Sequence, residues 1–198
     1  MTAGGDSLQR VADEVRSCPR CRLAQTRTHA VPGEGNAAAR LMLVGEAPGR
    51  SEDELGRPFQ GMAGRFLNSA LAGVGLTRDD VFVTSVNKCR PPNNRNPRRD
   101  EMAACASYLD RQLRLISPRV VLAMGGTAAS RLHPEAVGGN ANVTEFRGQV
   151  HPLGPEQALI VTYHPAAAMR FPARRQPFTD DLEQAVALAG LSPGGGLS

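Results

Sequence analysis

Arg40-Leu41-Met42-Leu43-Val44-Gly45 runs straight into Glu46-Ala47-Pro48-Gly49. An unbroken apolar run of this length, closed by a Pro/Gly turn, reads as a strand covered on both faces. The same pattern recurs outward along the chain. Val81–Thr84 follows the turn-prone Thr77–Asp80, Arg119–Met124 is closed by Gly125-Gly126, and Ala158–Tyr163 ends at His164-Pro165. Between these runs lie stretches at helical spacing. Gly64–Leu76 turns Phe66, Leu67, Leu71 and Val74 inward, and Arg98–Ile116 carries Met102, Cys105, Leu109 and Leu113. Thr127–Leu132 and Thr179–Leu188 are further helices, and Ser7–Ser17 is a short amphipathic one ahead of the first strand. Phe146–His151 reads as a strand or a sheet edge. Strands alternating with helices predict an α/β protein with a parallel, doubly wound sheet. Ligands of such sheets bind beyond the carboxyl ends of the strands. That rule singles out Gly45–Asp53, Ser85–Pro97, Gly125-Gly126 and His164–Arg170.

The 198 residues fit a single domain, 1–198, with loose ends at about 1–6 and 191–198. A hydrophobic fraction of 41% is enough for a core and excludes general disorder. No run of 18 apolar residues occurs, so no membrane span is expected. The opening MTAGGDSLQRVADEVRS lacks the apolar core of a signal peptide, and a cytoplasmic monomer is expected. The net charge of +4 is mild, but its make-up is informative: Lys88 is the only lysine among 23 basic residues. Arginine offers planar, bidentate donors suited to phosphate. From Val81 to Arg99 there is no acid, while Lys88, Arg90, Arg95, Arg98 and Arg99 are basic; Arg170, Arg174 and Arg175 form a second cluster. Two such clusters resemble the electrostatic footprint of a phosphate-backbone binder, with a codon bias toward Arg, Ala and Gly as the alternative source of the arginines. With no Trp, six Phe and two Tyr, base stacking must rest on one or two placed rings.

The cysteines are Cys18, Cys21, Cys89 and Cys105. Cys18-Pro-Arg-Cys21 has the spacing that puts two sulfurs on one metal centre, Cys89 follows a strand, and Cys105 lies in the next helix. Four thiolates suit structural zinc or an iron–sulfur cluster. Spacing does not choose between them, and zinc is the commoner occupant. A redox pair or unrelated buried thiols remain open, while disulfides are disfavoured in a reducing compartment.

Three further segments carry chemistry. Glu46, Glu52 and Asp53 sit in and after the turn that closes the first strand, where a carboxylate can hold a water or stabilise a cation; an ordinary solvated turn is the alternative. Phe59, in Arg57-Pro58-Phe59-Gln60-Gly61, is either a stacking ring or core. His164 at a strand end is either catalytic or a hydrogen-bonded structural group. Met169-Arg170 beyond it pairs an apolar wedge with a phosphate ligand, or packs as a helix start.

Together these pieces resemble the family 4 uracil-DNA glycosylases, the iron–sulfur branch of the uracil-DNA glycosylase superfamily. The resemblance covers roughly Cys18–Leu188. It rests on Cys18-x-x-Cys21, Gly45-Glu-Ala-Pro-Gly49 with Glu52-Asp53, Gly56-Arg-Pro-Phe59 with Gly61, Lys88-Cys-Arg-Pro-Pro92 with Asn94-Arg95 and Pro97, Cys105, and His164-Pro165 with Met169-Arg170. It implies a three-layer α/β/α sandwich around the central parallel sheet and a [4Fe–4S] cluster on Cys18, Cys21, Cys89 and Cys105. It also implies excision of uracil from DNA containing deaminated bases. Phe59 would stack on the base, Glu46 and the Ala47 backbone would line the pocket, and His164 would contact the base. Glu52, or less so Asp53, would place the attacking water or favour the sugar cation. Arg90, Arg95, Met169 and Arg170 would lie against DNA.

One position departs from the pattern. Much of that family has Asn four residues before the third cysteine, and here the residue is Ser85, within Thr84-Ser-Val-Asn-Lys-Cys89. A hydroxyl cannot present the paired donor and acceptor of an amide. If the strand stays extended, Asn87 shares the face of Ser85 and substitutes for the amide. Otherwise the base range widens or the pocket rearranges. The uracil-crosslinking relatives carry a long basic loop with a His, whereas Pro91–Pro97 is short and has none, so covalent capture is disfavoured. A non-catalytic iron–sulfur DNA-damage-binding protein and a zinc-binding nucleic-acid module are the competing readings.

Overall fold

The computed structural model describes residues 5–133 and 142–191. Six strands, β1 (Glu34–Gly35), β2 (Leu41–Gly45), β3 (Phe82–Ser85), β4 (Val120–Met124), β5 (Val150–Pro152) and β6 (Ala158–Thr162), form one sheet in the order β1-β3-β2-β4-β6-β5. The inner four are mutually parallel, in register Val44↔Thr84, Leu43↔Leu122 and Leu122↔Ile160. The chain leaves β2 on one side to make β3 and returns on the other to make β4, so the topological switch lies beside β2, where ligand crevices form.

Alternation along each inner strand serves two faces. Leu41, Leu43, Val83, Leu122 and Ile160 pack beneath α3 (Met62–Gly73) and α8 (Arg175–Ala189). Met42, Val44, Val121, Ala123, Leu159 and Val161 pack beneath α4 (Arg99–Ile116) and α5 (Gly126–Leu132). The result is the expected helix–sheet–helix layering. Outside α4 lies a smaller cluster, in which Val11 and Val15 of α1 (Leu8–Arg16) meet Leu23, Tyr108 and the four cysteines. Ser7 caps α1 by accepting from the Arg10 N–H at 3.1 Å.

Several expectations need correction. The sheet is not parallel throughout, since β1 and β5 close its two edges antiparallel to β3 and β6. Phe146–His151 divides into the end of a four-residue helix, α6 (Val143–Phe146), and the start of β5. Two short helices, α2 (Arg50–Leu55) and α7 (Pro165–Arg170), follow the turns that close β2 and β6, and α8 starts four residues before Thr179. The ends are tied where they are described: the Asp6 carboxylate accepts from Arg111 at 2.6 and 2.9 Å, and Leu191 N–H bonds to the Val186 carbonyl. Residues 1–4 and 192–198 lie outside the described residues. Among those described, no helix is long and apolar enough to cross a membrane.

The start of α4 shapes the wall of the later cleft. Glu101 is fully buried and accepts from the Arg98 N–H at 2.8 Å, as a carboxylate in the first helical turn does. Arg95 forks onto the same carboxylate at 2.6 and 2.8 Å, which fastens the Pro91–Pro97 loop to the helix. That fork holds the Glu101 carboxyl down at about 2 from the usual 4.5. A folded-state value depressed in this way gives stability that is complete above pH 4.5 and disappears as pH falls toward 2. Glu101→Gln should therefore be less stable at pH 7 and lose less on acidification. Urea titrations across that range test this, and equal acid slopes for the two proteins would reject it.

Candidate active site

The carboxyl ends of the parallel strands open into a cleft of about 460 Å³. Glu46, Ala47 and Glu52 reach it from beyond β2, Phe59 from the following loop, Ser85 from the end of β3, and His164 and Met169 from beyond β6. Arg95 and Asn94 form the far wall. Five segments, from Glu46 to Met169, thus meet at one crevice.

Phe59 is seated by backbone rather than by side-chain fit. It adopts a left-handed conformation, φ +52°, rare for a residue with a Cβ. Two glycines permit this seat. A Cβ on Gly64 would fall 1.8 Å from the Phe59 carbonyl oxygen, and one on Gly45 would fall 2.6 Å from the ring. The ring is 8% exposed and lies 5.9 Å from the His164 ring, 29° from parallel. Phe59 therefore belongs to the core and to the cleft at once.

Glu52 fixes the same loop. Its Oε1 accepts from the Gln60 and Gly61 N–H groups at 2.7 and 2.9 Å, and its Oε2 accepts from Gly49 N–H at 3.0 Å. One carboxylate thus joins the turn after β2 to the loop that presents Phe59. Asp53 faces elsewhere: it is 3% exposed and accepts from Thr28 N–H at 2.9 Å. The acids on the cleft are Glu52 and Glu46, and Glu46 accepts from the Thr127 hydroxyl.

His164 caps α7 with its ring. Nδ1 accepts from the Ala166 N–H at 3.2 Å, so a neutral ring carries its proton on Nε2. The ring reaches the cleft, yet protein surrounds most of it, and this burial pushes the pKa down to about 4; nearby Glu52 opposes the shift. At pH 7 His164 is a neutral imidazole with one N–H to donate.

Asn87 does not replace the missing amide. The backbone leaves the extended path after Ser85, as Val86 and Asn87 N–H groups bond to the Gly45 and Glu46 carbonyls. The turn sends the buried Asn87 side chain away from the cleft, to donate to the Glu101 carbonyl at 3.1 Å. It lines the cysteine pocket, and its Oδ1 has no hydrogen-bond partner. Among the sequence-selected cations, Arg95 lines the cleft with its guanidinium committed to Glu101, whereas Arg90, bonded to Asn94, and exposed Arg170 lie off it. Met62 and Thr127 carry no motif. Met62, 61% exposed, lines the mouth, and Thr127 anchors Glu46. Position just past a strand-end glycine pair was the one signal available for Thr127.

Cys18, Cys21, Cys89 and Cys105 line a second, smaller pocket between α1 and α4, and none of them forms a disulfide. Arg27 donates to the Cys89 sulfur at 3.0 Å and the Lys88 backbone N–H to the Cys105 sulfur at 3.3 Å. The other charged residues of the lining, Arg20, Arg27 and Lys88, are cations. This donor set, four sulfurs among N–H donors and positive charge, fits an anionic thiolate-bound group. Among the described residues, no three His, Cys, Asp or Glu converge as ligands of a single ion.

Residues 32–187 match the model of the uracil DNA glycosylase superfamily. The chain belongs to that superfamily. It is 44% identical over 188 residues to the type-4 uracil-DNA glycosylase of Sulfurisphaera tokodaii, covering 93% of this chain and 86% of that protein. It is 45% identical over 179 residues to the type-4 uracil-DNA glycosylase of Pyrobaculum aerophilum, covering 88% and 91%. A crystal structure of wild-type Pedobacter heparinus SMUG2 shares the fold, with a TM-score of 0.52 at 15% identity over 77% of this chain and 76% of that one.

The seat of Phe59 generates a prediction of sign. Gly→Ala inside a helix ordinarily stabilises by about 1 kcal/mol. Gly64→Ala should do the reverse, lowering the thermal midpoint and disturbing the cleft, because Phe59 backbone has to move aside. A midpoint at or above that of the unsubstituted protein would show that the approach is not constrained.

Proposed function

We propose that the protein is a uracil-DNA glycosylase that hydrolyses the N-glycosidic bond of deoxyuridine in DNA and leaves an abasic site for base excision repair. The observation that carries this reading is the convergence of Phe59, Glu52, Ser85 and a neutral His164 on one cleft, in a chain of that superfamily. A base inside a duplex is unreachable, so the nucleotide is turned out into the pocket. A cleft of about 460 Å³ is of the size that admits such a group. Phe59 offers the face for stacking, and Glu46 and Ala47 line the wall.

Cleavage places negative charge on the departing base and positive charge on the sugar. His164 donates from Nε2 to a uracil oxygen, and this bond strengthens as charge accumulates there. The neutral ring keeps this proton and stabilises the departing anion without transferring it, so the same tautomer serves the next turnover. Glu52 brings negative charge toward the sugar while holding the Phe59 loop. Its Oε2 accepts only one backbone bond and keeps capacity for the attacking water. Arg90, Arg170 and Met169 form the DNA-facing rim, and Arg95, tied to Glu101, positions the loop beneath it.

Cys18, Cys21, Cys89 and Cys105 would hold a [4Fe–4S] cluster, which when bound ties the N-terminal segment to α4 and places negative charge beside Lys88. This reading is supported by the type-4 names of the relatives and by the sulfur environment. The protein is read as a monomer of the cytoplasm, where cysteines stay reduced and able to bind a metal centre. A second reading concerns range. With Asn87 directed to the cysteine pocket, the β3 end presents the Ser85 hydroxyl and no amide to the base edge, which favours excision of other deaminated bases besides uracil.

Incubation with a uracil-containing oligonucleotide followed by alkali should give strand breaks, and none at stoichiometric enzyme would sink the activity. His164→Ala should lower the single-turnover rate by about 10² or more while leaving binding to uracil-free DNA nearly unchanged. The acid limb of the rate should fall near pH 4, where His164 gains its proton. A limb near 6.5 would assign the titration to another group. Purified protein should be brown, with about four irons and four sulfides per chain, and a colourless zinc protein would overturn the cluster.

A further inference from the structure

Beyond the cleft, the chain builds a ladder of rings and guanidiniums. Arg147 lies over the Tyr163 ring at 5.7 Å from its centroid, Arg174 over Tyr163 at 5.0 Å and over Phe171 at 4.6 Å, and Arg170 over Phe171 at 5.5 Å. Its inner end is anchored. Arg147 forks onto buried Asp181 at 2.8 and 3.1 Å and bonds to the Pro177 carbonyl at 3.0 Å. Its outer end is open, with Phe171 44% exposed. Leaving a large ring in water forgoes the burial that usually accounts for a Phe, and α7 packs well without it through buried Ala168. Among the described residues Arg170, Arg174 and Arg175 make no ion pair, and Met169–Gln176 contains no acid. The ladder also adjoins the site: Tyr163 precedes His164, and Met169, two residues before Phe171, lines the cleft.

An exposed ring between unpaired guanidiniums is the combination that holds single-stranded nucleic acid, with stacking for a base and charge for its phosphates. A base in an intact duplex already has stacking neighbours, so such a ring serves an unpaired one. Resting on the glycosylase reading, we propose that Phe171, clasped by Arg170 and Arg174, is a stacking platform for an unpaired base next to the extruded nucleotide. Uracil in single-stranded or locally opened DNA is then the favoured form of substrate.

Binding of a fluorescent oligothymidine without uracil isolates the platform from catalysis. Phe171→Ala should weaken that binding about ten-fold, the loss of one stacked base. Phe171→Trp should restore it, and Phe171→Leu, equally apolar, should not. Arg174→Gln should reduce the salt dependence of binding by about one phosphate contact. On uracil substrates, KM of Phe171→Ala should rise about ten-fold on single strands and much less on duplex. Unchanged oligothymidine affinity in Phe171→Ala, or full rescue by Leu, overturns the platform. Failure of the unsubstituted protein to release uracil overturns the glycosylase reading instead, whatever the binding shows.

Discussion

Lys88 holds the molecule together at the junction of its two special pockets. Its ammonium is buried and donates to the Thr84 hydroxyl at 2.6 Å, the Gln112 side-chain oxygen at 2.7 Å and the Ser85 carbonyl at 2.8 Å. All three protons are used, and none of these acceptors is a carboxylate. Burial pushes its pKa down to about 8, the nearby Cys105 thiol opposing that shift. An ammonium out of water is costly unless its hydrogen bonds and counter-charge are in place. Thr84 and Gln112 pass the tie on, both donating to the Pro32 carbonyl at 3.1 and 2.6 Å. The end of β3, the middle of α4 and the entry to β1 therefore meet on one cation. Its backbone N–H meanwhile rests on the Cys105 sulfur. The end of β3 at the cleft and the sulfur pocket are parts of a single polar core.

The cleft owes its form to main-chain geometry more than to side-chain packing. Phe59 holds an uncommon conformation because Gly64 gives it room and Glu52 fixes the following two amides. His164 owes its tautomer to the first turn of α7 and its neutrality to enclosure. Groups fixed in this way need little reorganisation when charge develops, which is where electrostatic catalysis gains its advantage. Glu52 serves both purposes, as a brace and as a charge, so a substitution there alters the shape of the cleft along with its potential.

Much of the fold was legible because parallel strands covered on both faces announce themselves as apolar runs, as Leu41–Gly45 and Val120–Met124 do. What escaped was short or polar. Arg50–Leu55 buries only Asp53 and so shows no apolar period, and Glu34–Gly35 is too brief to carry a pattern. Phe59, Glu52 and His164, selected from separate segments, line one cleft, because strand-end position is readable from sequence. Asn87 was misplaced for a related reason: its parity with Ser85 holds only while the backbone stays extended, and two long-range bonds to Gly45 and Glu46 bend it. The brace made by Glu52 was equally hidden, since it joins residues eight and nine positions away through their amides.

The sheet edges have a consequence of their own. The outermost strands are two and three residues long, and the longer ends at Pro152, which has no N–H to donate. Neither rim offers a stretch of free amides long enough to template another chain. Among the described residues, the sheet therefore gives two copies of the protein no edge along which to pair strand to strand.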